Sequence, residues 1–161
     1  MIFSGVRIIS GGQTGADRAA LDFALEHDIS CGGWCPKGRL AENGCLPERY
    51  PLRETSTASY AQRTRQNIED ADGTVIFTHG DSFDRGSLLT RKICLEKQKP
   101  MLNIDLAEKE EVLKIRFAGW MKEEKIRILN IAGPRESFLP GIYLKTLDFL
   151  EKTLLNEPGN R

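Results

Sequence analysis

Short runs rich in β-branched residues alternate along this chain with longer stretches whose apolar residues recur at helical spacing. That alternation limits the fold more than any single motif does. Val6–Ser10 reads as a strand closed by Gly11-Gly12, and Thr14–His27 follows as a helix with Ala16, Ala19, Ala20, Phe23 and Ala24 on one face. A second strand falls near Ile29–Trp34. A helix over Ser59–Ala71 opens with the capping-box pair Ser59 and Gln62. Gly73–Thr78 is the clearest buried strand, followed by a helix over Gly86–Gln98 and a strand over Pro100–Ile104. A helix over Glu108–Lys122 offers Val112, Ile115, Phe117 and Trp120 as apolar surface, Lys125–Ala132 is the last strand, and Ile142–Leu155 is the closing helix. Strands and helices alternating at this spacing predict an α/β fold: a mostly parallel sheet with helices on both faces, a Rossmann-like three-layer αβα sandwich. The strand segments are continuously apolar, as strands covered on both sides must be. The chain has 161 residues and no repeat, linker or low-complexity tract, so one ligand-binding domain over 1–161 is expected.

Charge narrows the partners. Lys+Arg and Asp+Glu both number 23, giving a formal net charge of zero. Nucleic acid and membrane surfaces need a sustained basic field, so neither is an expected partner. Met1–Arg7 has no charged segment ahead of an apolar stretch, and no apolar run approaches the ~20 residues of a membrane span. With no export signal, Cys31, Cys35, Cys45 and Cys94 read as reduced thiols of a cytoplasmic protein. Their spacing is not that of a zinc site, His27 and His79 are too few to complete one, and no metal is expected.

In an open parallel sheet, ligands bind beyond the carboxyl ends of the strands. Four segments follow those ends. Gly11-Gly12-Gln13-Thr14-Gly15 leads into a helix containing Asp17 and Arg18, so free N–H groups and the helix dipole face one point and favour an anion. The pattern is neither G-x-G-x-x-G nor the P-loop, and a tight turn with no ligand is the competing reading. Gly133-Pro134-Arg135-Glu136-Ser137 resembles it, with Arg135 able to fork onto an anion and Glu136 able to accept from a ribose or simply to pair with Arg135. Gly86-Ser87 opens a helix after a polar loop and is a second anion candidate; Asp81 and Asp84 beside it suit a sugar hydroxyl, a base edge, a Mg²⁺ ion or, as the first reading, solvent. The stretch Pro36–Pro51 lacks a period and reads as a long loop in which Lys37, Arg39, Glu42 and Arg49 form either a lid or a surface excursion. Arg63 and Asn67 share a helix face whose apolar side (Tyr60, Ile68, Ala71) is thin, so that face meets either the ligand or solvent.

Ser10–Arg18, Gly33-Trp34-Cys35-Pro36-Lys37-Gly38-Arg39, Ala41–Gly44, Pro47–Tyr50 and Asn130–Ser137 with Pro140-Gly141 together resemble the putative molybdenum carrier family over nearly the whole chain. That family is similar to a circularly permuted, YpsA-like branch of the SLOG or lysine-decarboxylase-like Rossmann group, which includes DNA-processing protein A and cytokinin-activating phosphoribohydrolases. The resemblance implies a phosphate or nucleotide pocket made by Gly11–Arg18, Asp84–Ser87 and Gly133–Ser137. The family's name implies molybdenum cofactor, a pterin phosphate, as an alternative to a nucleotide. The hydrolases carry a Pro-Gly-Gly-x-Gly-Thr-x-x-Glu motif, and Thr90 stands here where that Glu would be. Threonine is no carboxylate acid or base near neutral pH.

The first expectation is therefore a binding protein for a small phosphorylated heterocycle. The second is a nucleotide-processing hydrolase, acting on an N-glycosidic or phosphate bond, with Asp17, Asp84 or Glu136 as acid or base. Nucleic-acid binding ranks last. A homo-oligomer through surface helices is a further expectation, with Phe117, Trp120 and Met121 serving either that interface or the core.

Overall fold

The computed structural model describes residues 3–155, so Met1, Ile2 and residues 156–161 lie outside the described residues. Its centre is a five-stranded sheet in the order β2-β1-β9-β7-β8. The strands are β1 (Arg7–Ile9), β2 (Cys31–Gly32), β7 (Gly73–Thr78), β8 (Met101–Asp105) and β9 (Ile128–Ala132), and every pairing between them is parallel. The last strand, β9, is inserted at the middle, between β1 and β7. All six residues of β7 are buried, which explains its unbroken apolar run.

Helices α1 (Ala16–Glu26), α4 (Glu110–Glu123) and α5 (Ile142–Leu150) cover one face. Their apolar sides meet in one core, where Phe117 of α4 and Phe77 of β7 both pack edge-on against Phe149 of α5, at 5.9 and 5.5 Å between centroids. Helices α2 (Tyr60–Asp70) and α3 (Arg85–Lys97) cover the other face around Ile68, Ile93 and Cys94. The result is the three-layer α/β sandwich expected from the alternation. Ser59 caps α2 by accepting from Gln62 N at 3.4 Å, whereas the Gln62 side chain turns back to Thr57 and Ser56 instead of closing the box.

Two expectations change. The buried side of α4 is Leu113, Phe117 and Met121, while Val112 and Ile115 are 46% and 75% exposed; spacing of four residues keeps the first three in phase with the core. Phe117 and Met121 thus belong to the core, and Trp120 is half-buried against it. Pro36–Pro51 is not an open loop. At Gly33, with φ of 125°, the chain leaves β2, so Trp34 starts a second small sheet instead of extending the first. There β3 (Trp34–Cys35) pairs with β6 (Arg53–Glu54), and β4 (Leu40–Ala41) forms a hairpin with β5 (Gly44–Cys45). Cys35, Ala41, Leu46, Tyr50 and Leu52 pack with Leu21 of α1 into a second apolar cluster. Strands of two residues leave no periodic trace in a sequence.

Candidate functional site

The segment after β1, the carboxyl end of β9 and the loop after it, with residues of α2 and the start of α3, line a cleft of about 280 Å³. This is near the lower end of small-molecule sites, roughly 300–1,000 Å³. Of the residues expected at a site, Gly11, Gln13, Asp17, Arg63, Asn67, Gly86, Gly133 and Arg135 line it. Gly12, Thr14, Gly15, Arg18, Lys37, Arg39, Ser87, Pro134, Glu136 and Ser137 do not.

The turn before α1 is closed on itself. Gly12 N donates to Ser10 Oγ (3.4 Å), Gln13 N to Asp17 Oδ2 (3.3 Å), Thr14 N to Gln13 Oε1 (3.0 Å) and Ala16 N to Pro134 O (3.3 Å). Four of the donors that sequence spacing aimed at a ligand are therefore engaged inside the protein. Gly15 has φ of 82°, and a Cβ there would sit 2.9 Å from Glu136 N and against Pro134 O, so its bareness lets two strand-end loops touch. Asp17 is buried beside this turn, with Arg63 Nη1 3.8 Å away. Burial raises its carboxyl to about 6; Arg63 and the Gln13 N–H oppose the rise and the nearby Asp84 adds to it.

Other charged candidates hold the framework. Arg18 donates to Gly12 O at 3.1 and 3.3 Å and lies 5.3 Å from the centre of the Tyr50 ring. Arg39 donates to the carbonyls of Leu46, Leu52, Pro47 and Tyr50 at 2.8–3.2 Å, pinning the 36–51 segment from within. Glu136 accepts from Gly141 N (2.6 Å) and Tyr143 N (3.0 Å) at the start of α5 and does not line the cleft. Asn67 lines the cleft, but its amide spans the Trp34 backbone, accepting from N at 2.8 Å and donating to O at 2.9 Å. Lys37 is exposed and Ser87 Oγ is buried without a hydrogen-bond partner.

The side of the cleft at α3 is more open. Asp84 caps that helix, accepting from Ser87 N at 2.8 Å, and its other oxygen accepts from Arg135 N at 3.3 Å, which ties the helix to the β9 loop. Arg85 is exposed and Gly86 has open space around it. Thr90 donates to Gly86 O at 2.9 Å. Tyr60, 40% exposed, and Leu89 supply apolar wall, and Asn130 Nδ2 donates to Thr74 Oγ1 at 3.2 Å. Tyr60, Leu89 and Asn130 line the cleft without having been expected there. Tyr60 stands three residues before Arg63 on one helix face, and Asn130 is an amide inside an apolar strand; both were legible signals.

Outside the cleft, Glu42 at the β4–β5 turn accepts from Thr14 Oγ1, Ser137 Oγ and Ser137 N (3.2 Å) and lies 3.9 Å from Arg135 Nε. Desolvation works against its charge, but the Ser137 and Thr14 hydrogen bonds and Arg135 outweigh it and hold the carboxyl below the ordinary glutamate value.

The Circularly permutated YpsA SLOG family pattern matches residues 8–154. The chain belongs to that family. This YpsA-type SLOG protein is also similar to a crystal structure from Syntrophus aciditrophicus SB named "Putative molybdenum carrier protein", at 49% sequence identity and a TM-score of 0.90, covering 93% of this chain and 96% of that one. No curated protein matches this SLOG family member. No helix among its described residues is long and apolar enough to cross a membrane.

Proposed function

We propose that this is a cytoplasmic binding protein for a small phosphorylated heterocycle, either a nucleotide or a phosphorylated pterin such as molybdenum cofactor carried as cargo. One observation carries the reading: Tyr60 and Leu89 line the same cleft as Arg85 and Arg135, near the start of α3. A ring fits against the former, and a phosphoryl group against the latter and the first N–H groups of the helix. The name of the Syntrophus structure, "Putative molybdenum carrier protein", supports a molybdenum-bearing cargo. Thr90 in place of a hydrolase Glu supports binding without turnover.

The test is thermal unfolding of ligand-free protein with nucleoside monophosphates, a phosphorylated pterin and molybdate. A true ligand at 100 times its Kd adds about 2.7 kcal/mol, which raises Tm by roughly 5–10 °C. No shift with any of them would sink the proposal. A second reading, hydrolysis with Asp17 as the acid or base, is favoured by its carboxyl titrating at about 6. Product release from a bound nucleotide that disappears in Asp17→Asn would establish it; stable nucleotide would reject it.

A further inference from the structure

Four donors converge on the Glu42 carboxylate: two hydroxyls, one backbone N–H and one guanidinium, from Thr14, Ser137 and Arg135. None of the elements supplying them is near Glu42 in sequence. Such a set is built to hold an oxyanion, and a phosphoryl oxygen asks for the same donors as a carboxylate. Arg135 belongs both to this constellation and to the cleft lining, so a ligand seated in the cleft can bring its phosphoryl group within reach.

Arg39 and Leu46 fix the base of the element that delivers Glu42, and its tip is more lightly held. Strands β4 and β5 have two residues each, and Leu40, Glu42, Asn43, Gly44 and Cys45 are exposed. The turn is docked by Gln13 Oε1 accepting from Glu42 N at 2.8 Å and by Arg18 donating to Asn43 Oδ1 at 3.4 Å. Ala41 and Leu46 anchor its base in the second apolar cluster. Short exposed pairings of this kind open at little free energy compared with a core.

We propose that Thr14, Arg135 and Ser137 form an oxyanion subsite which Glu42 fills as a resident competitor, and that a phosphoryl group displaces Glu42 and frees the β4–β5 hairpin. The proposal rests on reading the cleft as a site for phosphorylated ligands, but inorganic phosphate alone tests it. Titration calorimetry on the wild type and on Glu42→Gln, with fold checked by near-ultraviolet circular dichroism, should show phosphate bound about tenfold more tightly by the variant, because one like charge is gone. Thr14→Val added to Glu42→Gln should cancel that gain. In the wild type, which needs no substitution, phosphate should speed hydrogen exchange at the amides of Leu40–Cys45. Equal phosphate affinity in the two proteins, binding to neither, or phosphate binding that leaves those amides unchanged would overturn the proposal. If a nucleotide stabilises the wild type while Glu42→Gln gains nothing, the displacement idea falls and the cleft reading stands. If phosphate shows the gain and no heterocycle binds, the reverse holds.

Discussion

Two glycine-bearing turns stand side by side at the carboxyl edge of the sheet. Ahead of α1, the N–H groups of Gly12, Gln13 and Thr14 turn onto Ser10, Asp17 and Gln13, and that of Ala16 onto Pro134 O. At the start of α3, Gly86 faces open space and Arg85 is exposed, with only Ser87 N taken by the Asp84 cap. In sequence the first turn is the more persuasive anion cradle. In space its glycines permit close packing, Gly12 against Leu46 and Leu52 and Gly15 against the Pro134–Glu136 backbone. A glycine pattern therefore signals close approach of something, and the chain itself can be what approaches.

The sharpest way to break this comparison is to add one methyl to each turn. Gly15→Ala meets backbone and a left-handed φ of 82°, and should lose roughly 2–5 kcal/mol in urea unfolding. Gly86→Ala has room, with Asp84 Oδ1 no nearer than 3.8 Å, and should change stability by no more than about 1 kcal/mol. Similar losses at both positions would erase the distinction.

The buried carboxylate of the closed turn gives the next effect. Burial pushes the Asp17 carboxyl up to about 6 in the folded protein from an ordinary 3.8, so between those pH values the folded protein holds more protons than the unfolded one. Wild-type stability from this group is thus greatest at low pH and falls as pH rises through about 6, by about 3 kcal/mol in all. Stability measured against pH should show the gap between Asp17→Asn and wild type moving in the variant's favour from pH 4 to 7. A gap that does not change with pH would mean the charged form is not disfavoured there.

Two arginines give the smallest effects. Arg18→Ala removes both donors to Gly12 O and should cost about 1–3 kcal/mol in the same unfolding measurement. Arg85→Ala should alter stability by less than about 0.5 kcal/mol while weakening phosphate or nucleotide binding, because its role lies at the mouth of the cleft. An unfolding loss at Arg85 as large as at Arg18 would place both in the framework.

Apolar periodicity alone located β1, β7, β8, β9 and all five α-helices to within a few residues, and with them the layered α/β architecture. It worked because long buried elements must repeat their apolar residues at 2 or 3.6. It failed at β3–β6, whose two-residue strands are held by Arg39 on four carbonyls and by a small apolar cluster. The strand-end rule also located the cleft: Gly11, Asp17, Gly86, Gly133 and Arg135 meet there across more than a hundred residues of chain.

Which polar groups remain available to a ligand is settled by the folded arrangement. Sequence shows that Gln13, Arg18, Arg39, Asn67 and Glu136 own donors or acceptors. It does not show that Asp17, the Gly12 carbonyl, four loop carbonyls, the Trp34 backbone and the start of α5 already engage them. Hydrogen-bond satisfaction is a property of distance between segments far apart in sequence, whereas strand and helix patterning is local. The insertion of β9 between β1 and β7 was decided at the same level, since periodicity identifies a strand and says nothing of its neighbours.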